Sequence, residues 1–149
     1  MKLGEYLDKT MILPELTAST KEEVLAELVA PVIAACPQLD AESVVNVLRE
    51  RESLGTTGIG DGIAIPHGKL DNLDRIILVA GRSTGGVDFE ALDFKLCTIF
   101  FLVLAPEQVA GMHLRILAQI SRLLKDPEFR SSFLSAPDAD VLWHLLNNA

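Results

Sequence analysis

Apolar residues recur along this chain first at helical spacing, then in unbroken runs, then at helical spacing again. Ser19 and Thr20 each stand three residues ahead of a glutamate, Glu22 and Glu23, which is a capping box and predicts a helix over Lys21–Ala35. Val24, Leu25, Leu28 and Val32 give that helix its apolar face. Pro31 falls inside the pattern and is expected to kink the helix or end it early. Asp40 reads as the N-cap of a second helix, Ala41–Glu52, with Val44, Val45, Val47 and Leu48 inside it.

The pattern then changes. Ile63–Ile65 is a short apolar stretch between glycines and Pro66, which favours a strand end. Ile76–Ala80 and Leu96–Leu104 are β-branched and aromatic-containing runs and predict buried strands. Thr84-Gly85-Gly86 predicts a turn, with a short edge strand Val87–Phe89 after it. Beyond Pro106 a helix is predicted over Val109–Lys125, where Leu114, Ile116, Leu117, Ile120, Leu123 and Leu124 form a broad stripe. Asp126-Pro127 ends it and opens a short helix, Pro127–Leu134, and Pro137-Asp138 opens a last one that stops at Asn147. Helices, then strands, then helices predict an α/β chain. We expect a single domain over residues 1–149, with a mixed sheet of about five strands flanked by helices on both faces.

Composition narrows the choices. A length of 149 residues fits one domain, and 49% hydrophobic with only 5% aromatic residues means an aliphatic core. The net charge of −8 and the lack of any Lys/Arg cluster argue against nucleic acid as a partner and suit docking of a basic one. Cys36 and Cys97 form no CxxC pair and show no zinc spacing, and Cys97 reads as core. The first residues, MKLGEYLDKT, show no positive segment leading into an apolar one, and the longest apolar run, Leu96–Ala105, is far short of a membrane span. A cytoplasmic location is expected.

The chemistry concentrates in Gly55–Leu70, GTTGIGDGIAIPHGKL. The Walker pattern fails because Gly68-Lys69 is followed by Leu70, and the dinucleotide pattern fails because the glycines precede a strand instead of linking strand to helix. The segment reads either as a flexible turn or as a loop of exposed N–H groups holding one phosphoryl group, with Thr57, Gly58, Gly60 and Gly68 as its members. His67 follows Pro66, which fixes the backbone before it, and precedes Gly68, which removes bulk behind it. An imidazole so presented suits group exchange with a partner protein.

His113 shares a helix face with Ile116, Leu117 and Ile120 and reads either as a half-buried structural histidine or as a donor to a phosphoryl oxygen near His67. Arg51 ends the second helix beside the loop and reads as a ligand for phosphoryl oxygens, whereas Arg49 belongs to a solvated face. His67, His113 and His144 have no metal-ligand spacing, and no GxSxG elbow occurs.

These residues resemble the IIA domain of the phosphoenolpyruvate-dependent phosphotransferase system, in its fructose/mannitol/nitrogen class. The family signature is an acidic or amide residue, six residues, an aliphatic and a small residue, two residues, then aliphatic-Ala-aliphatic-Pro-His-small. Here it is met by Glu52, Ile59-Gly60 and Ile63-Ala64-Ile65-Pro66-His67-Gly68. The His113–Leu117 segment also fits, and the resemblance covers nearly the whole chain.

The resemblance implies a phosphotransferase component in which His67 is phosphorylated by the phosphohistidine of a small HPr- or NPr-type carrier. The group then passes to a IIB cysteine or stays as a regulatory mark read by a kinase, channel or regulator. It also implies that His113 and Arg51 are the second site histidine and the site arginine, and that no metal or cofactor takes part. The loop wording is most similar to the nitrogen-regulatory members, although Arg115 stands where some of them have another histidine. A sugar-transport IIA subunit and a binding module that exchanges no phosphate are the alternatives.

Overall fold

The computed structural model describes residues 2–149, with Ala110 through its backbone alone. Two strands dominate it: β5 (Ile77–Val87) and β6 (Cys97–Pro106), paired antiparallel from Ile77 opposite Leu104 to Val87 opposite Cys97. Their residues are almost all buried, as unbroken apolar runs require when both faces of a sheet are covered. The short strand β1 (Ile12–Leu13) lies parallel to β5 on its free edge.

The other edge of β6 carries a broken strand. β3 (Ile63–Ala64) and β4 (His67–Leu70) both run parallel to β6, the first opposite Ile99 and Phe100, the second opposite Val103 through Pro106. Pro66 falls in the gap; it has no N–H to give, but its carbonyl accepts from Val103 N–H at 3.0 Å. β2 (Gly58–Gly60) pairs antiparallel with β3 and closes the six-stranded sheet, ordered β1-β5-β6-β3-β2 with β4 beside β6. The β2–β3 turn holds Gly60 at φ 105° and Gly62 at φ 78°, a conformation that costs glycine little.

Helices cover both faces. The side chains of α1 (Lys21–Ala35) and α2 (Ala41–Ser53) meet one face: a Cβ on Gly81 would press on Leu28, and one on Gly68 on Val47. On the other face lie α3 (Ala110–Leu124) and α4 (Pro127–Ser135), where Phe101 and Phe133 pack with centroids 5.8 Å apart. The last helix, α5 (Ala139–Asn147), packs against β1 and the N-terminal turns. Arg82 on β5 reaches the same side as α4 and donates to the carbonyls of Pro14, Phe133, Leu134 and Ala136. That guanidinium fixes the end of α4, whose last carbonyls have no partner in the helix.

The capping box forms as its spacing predicts. Thr20 Oγ1 accepts from Glu23 N–H at 3.3 Å, while Glu23 Oε1 accepts from the Thr20 hydroxyl at 3.0 Å. Asp40, Asp126 and Asp138 cap α2, α4 and α5 in the same manner. Pro31 neither ends α1 nor shortens it: the helix runs on to Ala35, because Leu28, Val29 and Val32 are buried and hold the turn against the sheet.

The expected turn at Thr84-Gly85-Gly86 is also absent. Those residues continue β5, and Val87 belongs to it; the irregularity appears as a register shift against β6 between Arg82 and Val87. No helix among the described residues is long and apolar enough to cross a membrane.

Candidate functional site

His67 opens β4, and strand alternation turns its ring to the α3 face, whereas Gly68 faces α2. Its Nδ1 lies 2.8 Å from the carbonyl oxygen of Ile65. A carbonyl only accepts, so Nδ1 carries the hydrogen and Nε2 holds the lone pair. The proline between the two residues keeps this short loop rigid. Partial burial pulls the His67 pKa below its ordinary value; the Ile65 carbonyl opposes this, the Arg51 charge adds to it, and Glu52 opposes it. The ring is therefore neutral and nucleophilic at neutral pH.

His113, in the first turns of α3, stands against it. The ring centroids are 5.5 Å apart with planes at 67°, edge to face. His113 is 4% exposed, and its Nε2 is buried without a hydrogen-bond partner among the described residues. Burial, then the neighbouring His67 and Lys69, push its pKa down to about 4. A neutral imidazole with an unused buried polar atom beside another imidazole is costly unless something polar joins it.

Arg51 reaches the same corner from the end of α2. Its guanidinium donates to the Gly55 carbonyl at 2.9 Å, which ties the helix end to the glycine-rich segment. The structure thus brings His67 and His113 together from a strand and a helix N-terminus, and the charge of Arg51, at the C-terminus of α2, acts on His67. Arg49 points elsewhere and pairs with Glu22.

The glycine-rich segment behaves differently from an open cradle of N–H groups. Thr57 N–H donates to Glu52 Oε1 at 2.9 Å, Gly58 N–H to Thr56 Oγ1 at 3.1 Å, and Asp61 N–H to Asp93 Oδ2 at 3.1 Å. Gly58 is pressed against Ala91, and Gly60 faces the Asp93 carboxylate. Gly68 is needed for packing: a Cβ there would lie 2.9 Å from Val47 Cγ1. Thr57 and Gly58 thus have their N–H groups engaged within the chain, and Gly58, Gly60 and Gly68 are where the β2–β3 hairpin and its seat on α2 need close approach.

Sequence reasoning gave no role to Lys21 or Glu52. Glu52 is buried; besides Thr57 N–H it accepts from the Thr57 hydroxyl and pairs with Lys21 Nζ at 2.9 Å. Lys21 also lies over the Phe89 ring at 4.8 Å. This buried network joins the first turn of α1, the end of α2 and the start of the hairpin. A glutamate that opens a long-range motif was the available signal; Lys21 had none.

Comparisons with known proteins agree with this geometry. Residues 5–149 match the family model described as phosphoenolpyruvate-dependent sugar phosphotransferase system, EIIA 2. A nitrogen regulatory protein of Bradyrhizobium diazoefficiens is 37% identical over 98% of this chain and 95% of its own length. The fructose-specific EIIABC component of Bacillus subtilis is 35% identical over 99% of this chain, which corresponds to 23% of that protein. The crystal structure of nitrogen regulatory protein IIA-Ntr from Neisseria meningitidis superposes with a TM-score of 0.90 at 28% identity, covering 96% of this chain and 97% of that one. With its sheet, its two facing imidazoles and this match over almost its full length, the chain belongs to the EIIA 2 family of the phosphoenolpyruvate-dependent sugar phosphotransferase system.

Proposed function

We propose that this IIA domain is a phosphohistidine carrier that takes its group on Nε2 of His67 from the phosphohistidine of a small HPr- or NPr-type protein. The observation that carries this is the Nδ1–H bond to the Ile65 carbonyl, which leaves Nε2 as the free nucleophile. Nε2 attacks phosphorus and a new N–P bond forms. The N–P bond to the carrier's imidazole breaks, and its electron pair returns to that ring. With both nitrogens of His67 substituted, its ring becomes cationic, and the Ile65 carbonyl stabilises that charge. His113 donates from Nε2 to a phosphoryl oxygen, which satisfies its buried atom, and Arg51 supplies positive charge beside it. The barrier is lowered by positioning and charge rather than by covalent chemistry of further groups.

The nitrogen-regulatory branch is the better supported one, because the relatives of that name match over nearly their whole length. On this reading the acceptor is a regulated protein. The 35% identity to a fructose-specific protein favours a second reading, in which the phosphoryl group moves on to a IIB cysteine.

The test is incubation with phosphoenolpyruvate, Enzyme I and carrier, read by intact mass and acid lability. One acid-labile phosphoryl group is expected, and His67→Ala should take none while keeping its circular dichroism. Label on folded His67→Ala would refute the site. Rapid discharge to a IIB domain with sugar phosphorylation would select the transport branch.

A further inference from the structure

The connection between β5 and β6 holds apolar residues out in solvent. Leu92, Phe94 and Leu96 alternate with Asp93 and Lys95, and all three apolar members face solvent beside Lys95: they are 67%, 96% and 54% exposed. Asp93 instead turns back, half-buried, to accept from Asp61 N–H at 3.1 Å and Lys95 N–H at 3.1 Å. The loop is pinned further by Leu92 N–H donating to Gly58 O at 2.9 Å.

The non-glycine residues that the described chain holds at left-handed φ are Asp61 (57°), Glu90 (55°) and Phe94 (62°), and all of them lie on this surface. Backbone kept in such a conformation by its surroundings, with a ring held out in water at its tip, marks a surface shaped for contact.

Its charge indicates what it contacts. Asp61 and Asp93 lie among the apolar residues, and Asp88 and Glu90 stand at the start of the loop, beside Lys21 and Arg49; these carboxylates form no ion pair among the described residues, with Lys95 the cation at the tip. The whole chain carries −8. A second copy would bring like charges together; a cationic segment with apolar residues between its charges would not.

The surface also lies away from His67. Leu96 sits beside Gly62, and from there to His67 the chain is extended for about five residues, or about 16 Å at 3.3 Å each. That exceeds the ~8 Å screening length at physiological salt, so charge on His67 adds little here.

We propose that the Asp88–Leu96 loop, with Asp61, is a second docking surface, used by a basic and apolar segment of a regulated protein. The partner is held there whether or not His67 carries a phosphoryl group, and the group is read at the His67 end. The surface itself does not depend on the carrier reading; the purpose given to it does.

The probe is an alternating Leu-Lys hexapeptide, with the alternating Leu-Glu peptide as control, titrated into the labelled protein and followed by amide NMR. Shifts confined to Asp61 and residues 88–96, seen with the cationic peptide alone, are expected. Phe94→Ser should weaken binding at least tenfold. So should Phe94→Gly, which keeps the left-handed backbone without strain and guards against a folding artefact. Phosphoryl uptake by both variants should match the parent, so loss of docking and loss of carrier activity are read separately. Equal binding of both peptides, shifts centred on Arg51 and His113, no shifts at millimolar peptide, or unchanged binding in both variants would each overturn the proposal. A dimer of the parent that Phe94→Ser dissolves would overturn it too, by placing a second copy on the loop.

Discussion

Replacing His113 by Gln tests whether the site is as dry as its geometry requires. Burial beside His67 moves the His113 pKa from 6.5 in an open chain to about 4 in the folded one. The folded value is the lower, so the unfolded chain binds the proton first. Stability from this group is whole above pH 6.5, falls as the pH drops through that value, and stops falling below about pH 4. At 1.36 kcal/mol per pH unit, the loss between pH 7 and pH 5 comes to at most about 2 kcal/mol. It is an upper bound because the neighbouring His67 is open to water on one side.

His113→Gln has no such proton to take up. Urea unfolding of both proteins at pH 7 and pH 5 gives the pH-dependent loss for each, and their difference removes the contribution of every carboxylate they share. The parent should lose about 2 kcal/mol more than the variant. Parallel losses in the two proteins would refute the reasoning and place His113 in water.

Two further substitutions probe the supports of the site. Lys21→Met leaves the buried Glu52 carboxylate without its cation, and should cost about 3–5 kcal/mol in urea unfolding; Lys21→Arg should recover most of it. Gly68→Ala places a methyl 2.9 Å from Val47 Cγ1; moving α2 should cost about 1–3 kcal/mol and slow phosphoryl uptake, and pairing it with Val47→Ala should restore part of both.

Much of this was legible from local chemistry. Caps are written in adjacent residues, so Thr20 and Asp40 located α1 and α2 almost to the residue, and α3, α4 and α5 followed from their stripes and prolines. The long apolar run located β6, and the Pro66-His67 pair located the site. Strands β1 and β2 are too short for any periodicity to show. The Thr84–Gly86 stretch reads as a turn in isolation; in the structure it is the bulged part of β5, held between the Arg82–Ile99 and Val87–Cys97 pairs, which only the neighbouring strand could reveal. The same holds for the proposed phosphoryl loop: glycines advertise freedom, whereas Ala91, Asp93 and Val47, distant in sequence, decide how it is used. Lys21 finds Glu52 across 31 residues, beyond the reach of any local motif.

The broken strand has a kinetic consequence. His67 begins β4, which is laddered to β6 on one side and meets no other strand among the described residues, so the amides of β5 and β6 should outlast those of β4 in hydrogen exchange. The Asp88–Leu96 loop is anchored by the buried Phe89 and Ala91 and by Leu92 N–H on the Gly58 carbonyl, so it should open together with the β2–β3 hairpin. His67 thus stands on the open side of the sheet, where a group can arrive and leave, while the Asp88–Leu96 surface keeps its shape for as long as the hairpin beside it does.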